Sequence, residues 1–216
     1  MMRLADKNGG ILNAAEAKDY LQKTMLTFSS LNQLLQINES DTFFMYDAES
    51  YLLGKTIGIN AQWCRRLHDK LDKLFRTANV AYVVPRDIKS SWLNSLPPLP
   101  HALPWTPLLL QDILNKYPEI GFKSISSKRQ KKSYQRLAAA FVPMNSRLTF
   151  ADVVILFVKE NHPLPMRLTT EKLRKELRAI GMLSNNELLN TLPRVLDDHR
   201  FAWSNDGKNV CVREKF

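Results

Sequence analysis

Residues 200–216 read "RFAWSNDGKNVCVREKF". Two short runs, 200–204 and 209–214, are rich in aromatic and β-branched residues and flank the turn Asn205-Asp206-Gly207-Lys208. Asp-Gly is the pair that right-twisted hairpins favour, because both central positions accept positive φ. The pattern predicts an antiparallel hairpin that sets Phe201 and Trp203 against Val210 and Val212 and packs on the helices of 149–196.

Three helices precede that hairpin. In "LTFADVVILFVKENH", Thr149 is placed to cap a helix whose Val153, Val154, Leu156 and Phe157 are apolar, with Pro163 beyond its end. "PMRL" is a short extended link. "TTEKLRKELRAIG" starts at Thr169 or Thr170, turns Leu173, Leu177 and Ile180 inward, and stops at Gly181. "SNNELLNTLPRVLDDH" begins at Ser184 with Glu187 three positions on, in capping-box spacing.

Helix, short strand, helix, helix and hairpin, over residues 147–216, resembles the winged helix-turn-helix DNA-binding domains in element order and length. The resemblance implies that the third helix, 184–196, enters the major groove while the wing, with Lys208 at its tip, lies on the adjacent backbone. It would expose Asn185, Asn186, Asn190 and Arg194; Asn suits adenine and Arg suits guanine. The second helix is the more basic, with Lys172, Arg174, Lys175 and Arg178. Residues 147–216 hold 12 Lys/Arg against 9 Asp/Glu, a net of +3. That modest balance also suits an alternative, a winged-helix adaptor that binds protein without touching nucleic acid.

A denser basic cluster lies upstream. From Lys123 to Arg136 there are six cations, Lys123, Lys128, Arg129, Lys131, Lys132 and Arg136, and no acid. The stretch lacks Gly and Pro, and Tyr134, Leu137 and Phe141 recur at helical spacing. We expect a helix over 127–141 with an apolar inner face and a phosphate-facing outer one. "TPLLLQDILNKY" before it is a helix capped by Thr106 with Pro107 in the first position. Residues 106–142 line up loosely with 149–177, as a shortened copy of the same beginning.

The N-terminal part reads as helices over 12–22, capped by Asn13, and 28–37, a rhythm akin to excisionase-type helix-turn-helix modules. A poorly alternating region that is extended in part follows. Then comes an amphipathic helix over 60–78 with Trp63, Leu67, Leu71 and Leu74 on one face, and a strand over 80–84. Arg65 and Arg66 on that helix are further candidate phosphate contacts. Prolines 97, 98, 100 and 104 mark 95–105 as a junction. The expected organisation is a helical domain over 1–94, the Pro-rich junction, a basic helical module over 106–146 and a winged-helix domain over 147–216. The expected fold class is mainly α with small β-hairpins.

Composition narrows the function. The chain has 216 residues, a net charge of +10 and a sequence pI near 9.7, a balance that favours polyanions. Two cysteines, Cys64 and Cys211, and four scattered histidines make no zinc pattern. Adjacent Asp197 and Asp198 diverge in direction and mark a helix end rather than a metal pair. Trp63, Trp92, Trp105 and Trp203 are expected as core or hairpin anchors. No phosphate-binding glycine loop, nucleophile elbow or zinc-protease motif occurs. Nothing reads as a signal peptide or a membrane span. The expectation is an intracellular, non-enzymatic DNA-binding protein without cofactor or metal. It would work in transcriptional regulation or in replication and maintenance of a genetic element, at the nucleoid or in the nucleus, with a protein partner or a second copy as further company.

Overall fold

A computed structural model describes residues 2–24, 43–127, 137–163, 166–183 and 191–213. The chain forms two compact units: Met1–Val80 with Ile88–Lys123, and Ala81–Asp87 with Ser124–Phe216. About 51% of the described residues are helical and 17% lie in strands, in three small antiparallel sheets. The fold is therefore a mixture of α and β, not the mainly α class expected. Its strands are three or four residues long, too short to show an alternation, and three of them run straight into helices.

The first unit opens with α1 (Met2–Lys7), β1 (Ile11–Asn13) and α2 (Ala14–Lys23), and continues with β2 (Phe43–Met45) and β3 (Ser50–Leu53). The sheet order is β1-β3-β2, antiparallel throughout. Asn13 is both the last residue of β1 and the cap of α2, its side chain accepting the Ala15 N–H at 2.8 Å. The Ala14 N–H is bound by the Glu49 carbonyl at 2.8 Å. Ala5, Leu12, Ala17, Leu21, Phe43, Met45, Tyr51 and Leu53 form one buried cluster. The helix expected over 28–37 lies outside the described residues.

The chain continues through α3 (Gly54–Ile57) to α4 (Ala61–Ala78), capped by Asn60 on the Trp63 N–H. Trp63, Cys64, Leu67, Leu71 and Phe75 are buried on α4, whereas Leu74 is half-buried. After α5 (Ser90–Ser95), the segment expected to be a junction packs inside this unit. Leu96, Leu99 and Trp105 are buried, the Trp105 Nε1–H donates to the Pro97 carbonyl at 2.8 Å, and its ring stacks on Trp63 at 5.9 Å between centroids. The prolines end regular structure there, but the apolar residues between them fill the core. In α6 (Pro107–Lys116) Thr106 accepts the Leu109 N–H and Pro107 occupies the first turn.

The second unit takes in 81–87 and then, from Ser124 within β4 (Phe122–Ile125) onward, β5 (Ala140–Pro143), α7 (Phe150–Asn161), β6 (Met166–Thr169), α8 (Thr170–Ala179), α9 (Leu192–Val195), β7 (Phe201–Trp203) and β8 (Asn209–Val212). Two expectations change here. Leu137–Phe141 is not the end of a helix: 140–143 is β5, and Ala138 to Val142 are buried. Three consecutive alanines suit a helix, yet their small side chains also let a strand run close beneath a core. Residues 80–84 are not a strand; Val83 makes a single bridge to Phe141, with N–H···O distances of 3.0 and 2.8 Å. In the described part of the expected third helix, Pro193 sits in the first turn of α9, where its missing N–H costs nothing.

The C-terminal hairpin forms, with Phe201 opposite Val212 and Trp203 opposite Val210. β8 also pairs with β6, giving the order β6-β8-β7. Thr149 and Asp152 make a reciprocal capping box on α7. Gly181 follows α8 at φ +83, and its N–H returns to the Arg178 carbonyl at 3.0 Å. The segment 81–87 is sewn into this unit. The Tyr82 hydroxyl donates to Glu160 at 2.9 Å, and Arg86 Nη1 donates to the Arg178 carbonyl at 3.1 Å, at the negative end of α8.

Residues 2–53 and 150–212 share one plan. In their described elements each runs helix, strand, helix, then two strands with the last strand central, and the second places the short α9 before its strand pair. Thr169, like Asn13, ends its strand and caps the following helix. The Thr170 N–H, like that of Ala14, is bound by the residue preceding the central strand, the Lys208 carbonyl at 2.8 Å. The Tyr46 N–H to Ser50 carbonyl bond has its counterpart in Ser204 N–H to Asn209 carbonyl, both 3.0 Å. Buried Ala17 and Leu21 match buried Leu173 and Leu177. The recurrence proposed from sequence, 106–142 against 149–177, is a different pairing: with 137–143 as coil and strand, it aligns only a helix and an extended piece.

In the second copy the buried Thr170 side chain adds a tie, its hydroxyl donating to the Gly207 carbonyl at 2.6 Å. Thr170→Val keeps the shape and removes that bond. We expect the hairpin to lose about 1–2 kcal/mol of local stability, read as faster amide exchange in β8, with exchange in β3 unchanged.

Candidate nucleic-acid interface

The candidate cations divide between the units. Arg65 and Arg66 are exposed on α4 in the first, where the Arg65 Nε–H donates to the Ala61 carbonyl at 3.3 Å. Lys123 is half-buried on β4. Lys128, Arg129, Lys131, Lys132 and Arg136 lie outside the described residues, as do Asn185, Asn186 and Asn190. Arg194 is exposed on α9.

The structure brings the remaining candidates together on α8 and the hairpin. α8 is amphipathic: Leu173 and Leu177 are buried, while Lys172 and Lys175 are exposed. Lys175 lies 3.3 Å from Glu171, a solvent-exposed pair that costs little to break. Arg178 is half-buried. Arg174 is half-buried too, and its Nε lies buried without a partner. Lys208 is exposed at the hairpin turn. The two bonds from Thr170 to the carbonyls of Gly207 and Lys208 hold the turn at the first residue of α8, which brings Lys208 to the end of the helix that bears Lys172. Helix N-terminus and lysines act in the same sense on an anion.

The turn is itself ordered. Asp206 accepts from the Ser204 hydroxyl at 2.6 Å and the Lys208 N–H at 3.0 Å, and these bonds hold its carboxyl below the usual range. Its 3.9 Å approach to the Lys208 ammonium is loose enough to exchange for a phosphate. Arg167, exposed on β6 three residues before Thr170, adds a cation that sequence reading passed over, because it sat in what looked like a bare link.

Behind the turn, Arg200 bonds two acids. Its Nε and Nη2 reach both oxygens of Asp198 at 2.8 and 2.7 Å, and Nη2 reaches Asp152 at 2.6 Å. The Arg200 hydrogen bond brings the Asp198 carboxyl down to about 2. Burial pushes Asp152 up, but bonds from Thr149 and Arg200 outweigh it and hold the carboxyl below its ordinary value. Thus Asp198 anchors the approach to β7 onto the N-terminus of α7. Among the described residues no group of three or more His, Cys, Asp or Glu could hold a metal ion. No described helix is long and apolar enough to cross a membrane. No protein-family model, curated protein or solved structure matches the chain.

Because the Asp198 pKa is depressed, its contribution to stability is present above about pH 4, the ordinary carboxylate value, and is lost as pH falls through about 2. Asp198→Asn should therefore weaken the second unit by about 1–3 kcal/mol at pH 7. The gap to the wild type should close as pH approaches 2. Urea unfolding followed by NMR signals of β7 and β8 across that range measures both.

Proposed function

We propose that residues 147–212 form a winged helix-turn-helix module that binds DNA, α8 and the hairpin turn gripping the phosphate backbone. The observation that carries this reading is the pair of bonds from Thr170 to Gly207 and Lys208, which keep wing and helix terminus as one cationic edge. The element order and the sheet order β6-β8-β7 support it. So does the net charge of +10. The basic run 123–136 supplies further phosphate contacts in this reading, and sequence readout falls to 184–196. Phosphate contacts give affinity and register, base contacts specificity. In this reading the binding serves transcriptional regulation, or replication and maintenance of a genetic element.

The test is a salt titration of DNA binding. Each phosphate contact releases condensed counterion, so log K falls with log salt by about 0.9 per contact. Changing Lys172, Lys175 and Lys208 together to Gln should flatten the slope by roughly 2–3 and weaken binding to all sequences alike. Changing Lys128, Arg129, Lys131 and Lys132 to Gln should flatten it by roughly 2–4. A wild type that binds no DNA at low salt would pass the role to the adaptor reading, in which the same face docks on protein.

A further inference from the structure

The two copies of the module differ in charge at equivalent positions. Superposing Ala14 on Thr170, the residues whose N–H groups are bound by the hairpin turn, sets Glu16 on Lys172 and Asp19 on Lys175. The carbonyls that bind those N–H groups belong to Glu49 and Lys208. All six side chains are exposed. Three acids in the first copy thus occupy the places of three lysines in the second. Lys18 keeps the sign of the half-buried Arg174, so the inversion lies at solvent-facing positions. Residues 1–53 hold 4 Lys/Arg against 7 Asp/Glu, a net of −3 in a chain of net +10.

A face of that charge repels phosphate, so the first copy does not repeat the work proposed for the second. Most of its charge is free to act: Asp19 pairs at 2.7 Å with Lys23, but both are exposed and the pair is weak. Two faces built on one backbone plan with opposite charges attract each other, whereas each repels its own kind. We infer that the acidic α2–turn face of one molecule docks on the basic α8–turn face of a second copy of this chain. The contact is heterologous, joining different surfaces of identical chains, so it closes into a ring or propagates as a chain. It does not rest on the DNA reading, since only protein surfaces take part.

Sedimentation velocity on nucleic-acid-free full-length protein tests it. The wild type should associate at low salt and dissociate as salt screens the contact. Glu16→Lys, Asp19→Lys and Glu49→Lys together should raise the dissociation constant at least about tenfold, and Lys172→Glu, Lys175→Glu and Lys208→Glu together should do the same, three charge pairs turning repulsive in each. Mixing the two triple variants should restore association, because one is basic on both faces and the other acidic on both. Circular dichroism matching the wild type establishes that each variant is folded. A wild type monomeric at low salt, association that only one of the triple changes weakens, or a mixture that fails to associate would each overturn the inference.

Discussion

One hydrogen bond, made twice, sets the geometry on which each module depends. A strand ends, its last residue caps a helix, and the helix's first N–H is taken by the carbonyl just before the central strand: Ala14 to Glu49, Thr170 to Lys208. The first N–H groups of a helix have no partner within it. Here one is satisfied by a side-chain cap and another by a distant turn, so the helix cannot swing without unpairing the sheet. Register follows, with Asn13 opposite Ser50 and Thr169 opposite Asn209. A single arrangement therefore fixes helix direction, sheet order and the position of the turn at once.

The same arrangement explains which elements were legible. A cap is a strong signal: Asn13, Thr106, Thr149 and Thr169 all accept the backbone N–H their positions implied. The hairpin was legible because Asp206-Gly207 demands a turn; Gly207 has φ +68. The strands that feed the caps were not legible. Ile11–Asn13 is absorbed into the periodicity of α2, and in β2 and β3 every residue is buried, so there is no polar alternation to read. Ala138–Ala140 read as helix because alanine's intrinsic preference is helical, and tertiary pairing overrode it. The duplication stayed hidden because it is written in hydrogen bonds and burial, not in residue identity: Ala17 stands where Leu173 does, Tyr51 where Val210 does.

The candidate site was legible as charge but not as shape. Lys172, Lys175 and Lys208 are evident as cations in the sequence; that two bonds of Thr170 gather them is not. Charge counts also hid which cations are engaged. Arg200 is spent on Asp152 and Asp198, and Arg86 on the end of α8, so both brace the module from behind. Arg65 and Arg66, equal to any in composition, belong to the first unit.

The route of the chain bears on how the protein is made. Residues 81–87 leave the first unit, serve the second, and return. Tyr82 meets Glu160 across 78 positions. At roughly 5–20 residues per second, Tyr82 is synthesised about 4–16 s before its partner. When Lys123 is synthesised both chain segments of the first unit exist, while residues 81–87 have neither their bridge to Phe141 nor their seat against α8. The order of synthesis therefore favours a first unit that forms while residues 81–87 still lack their partners, and leaves that strip to be captured by chain that follows Lys123.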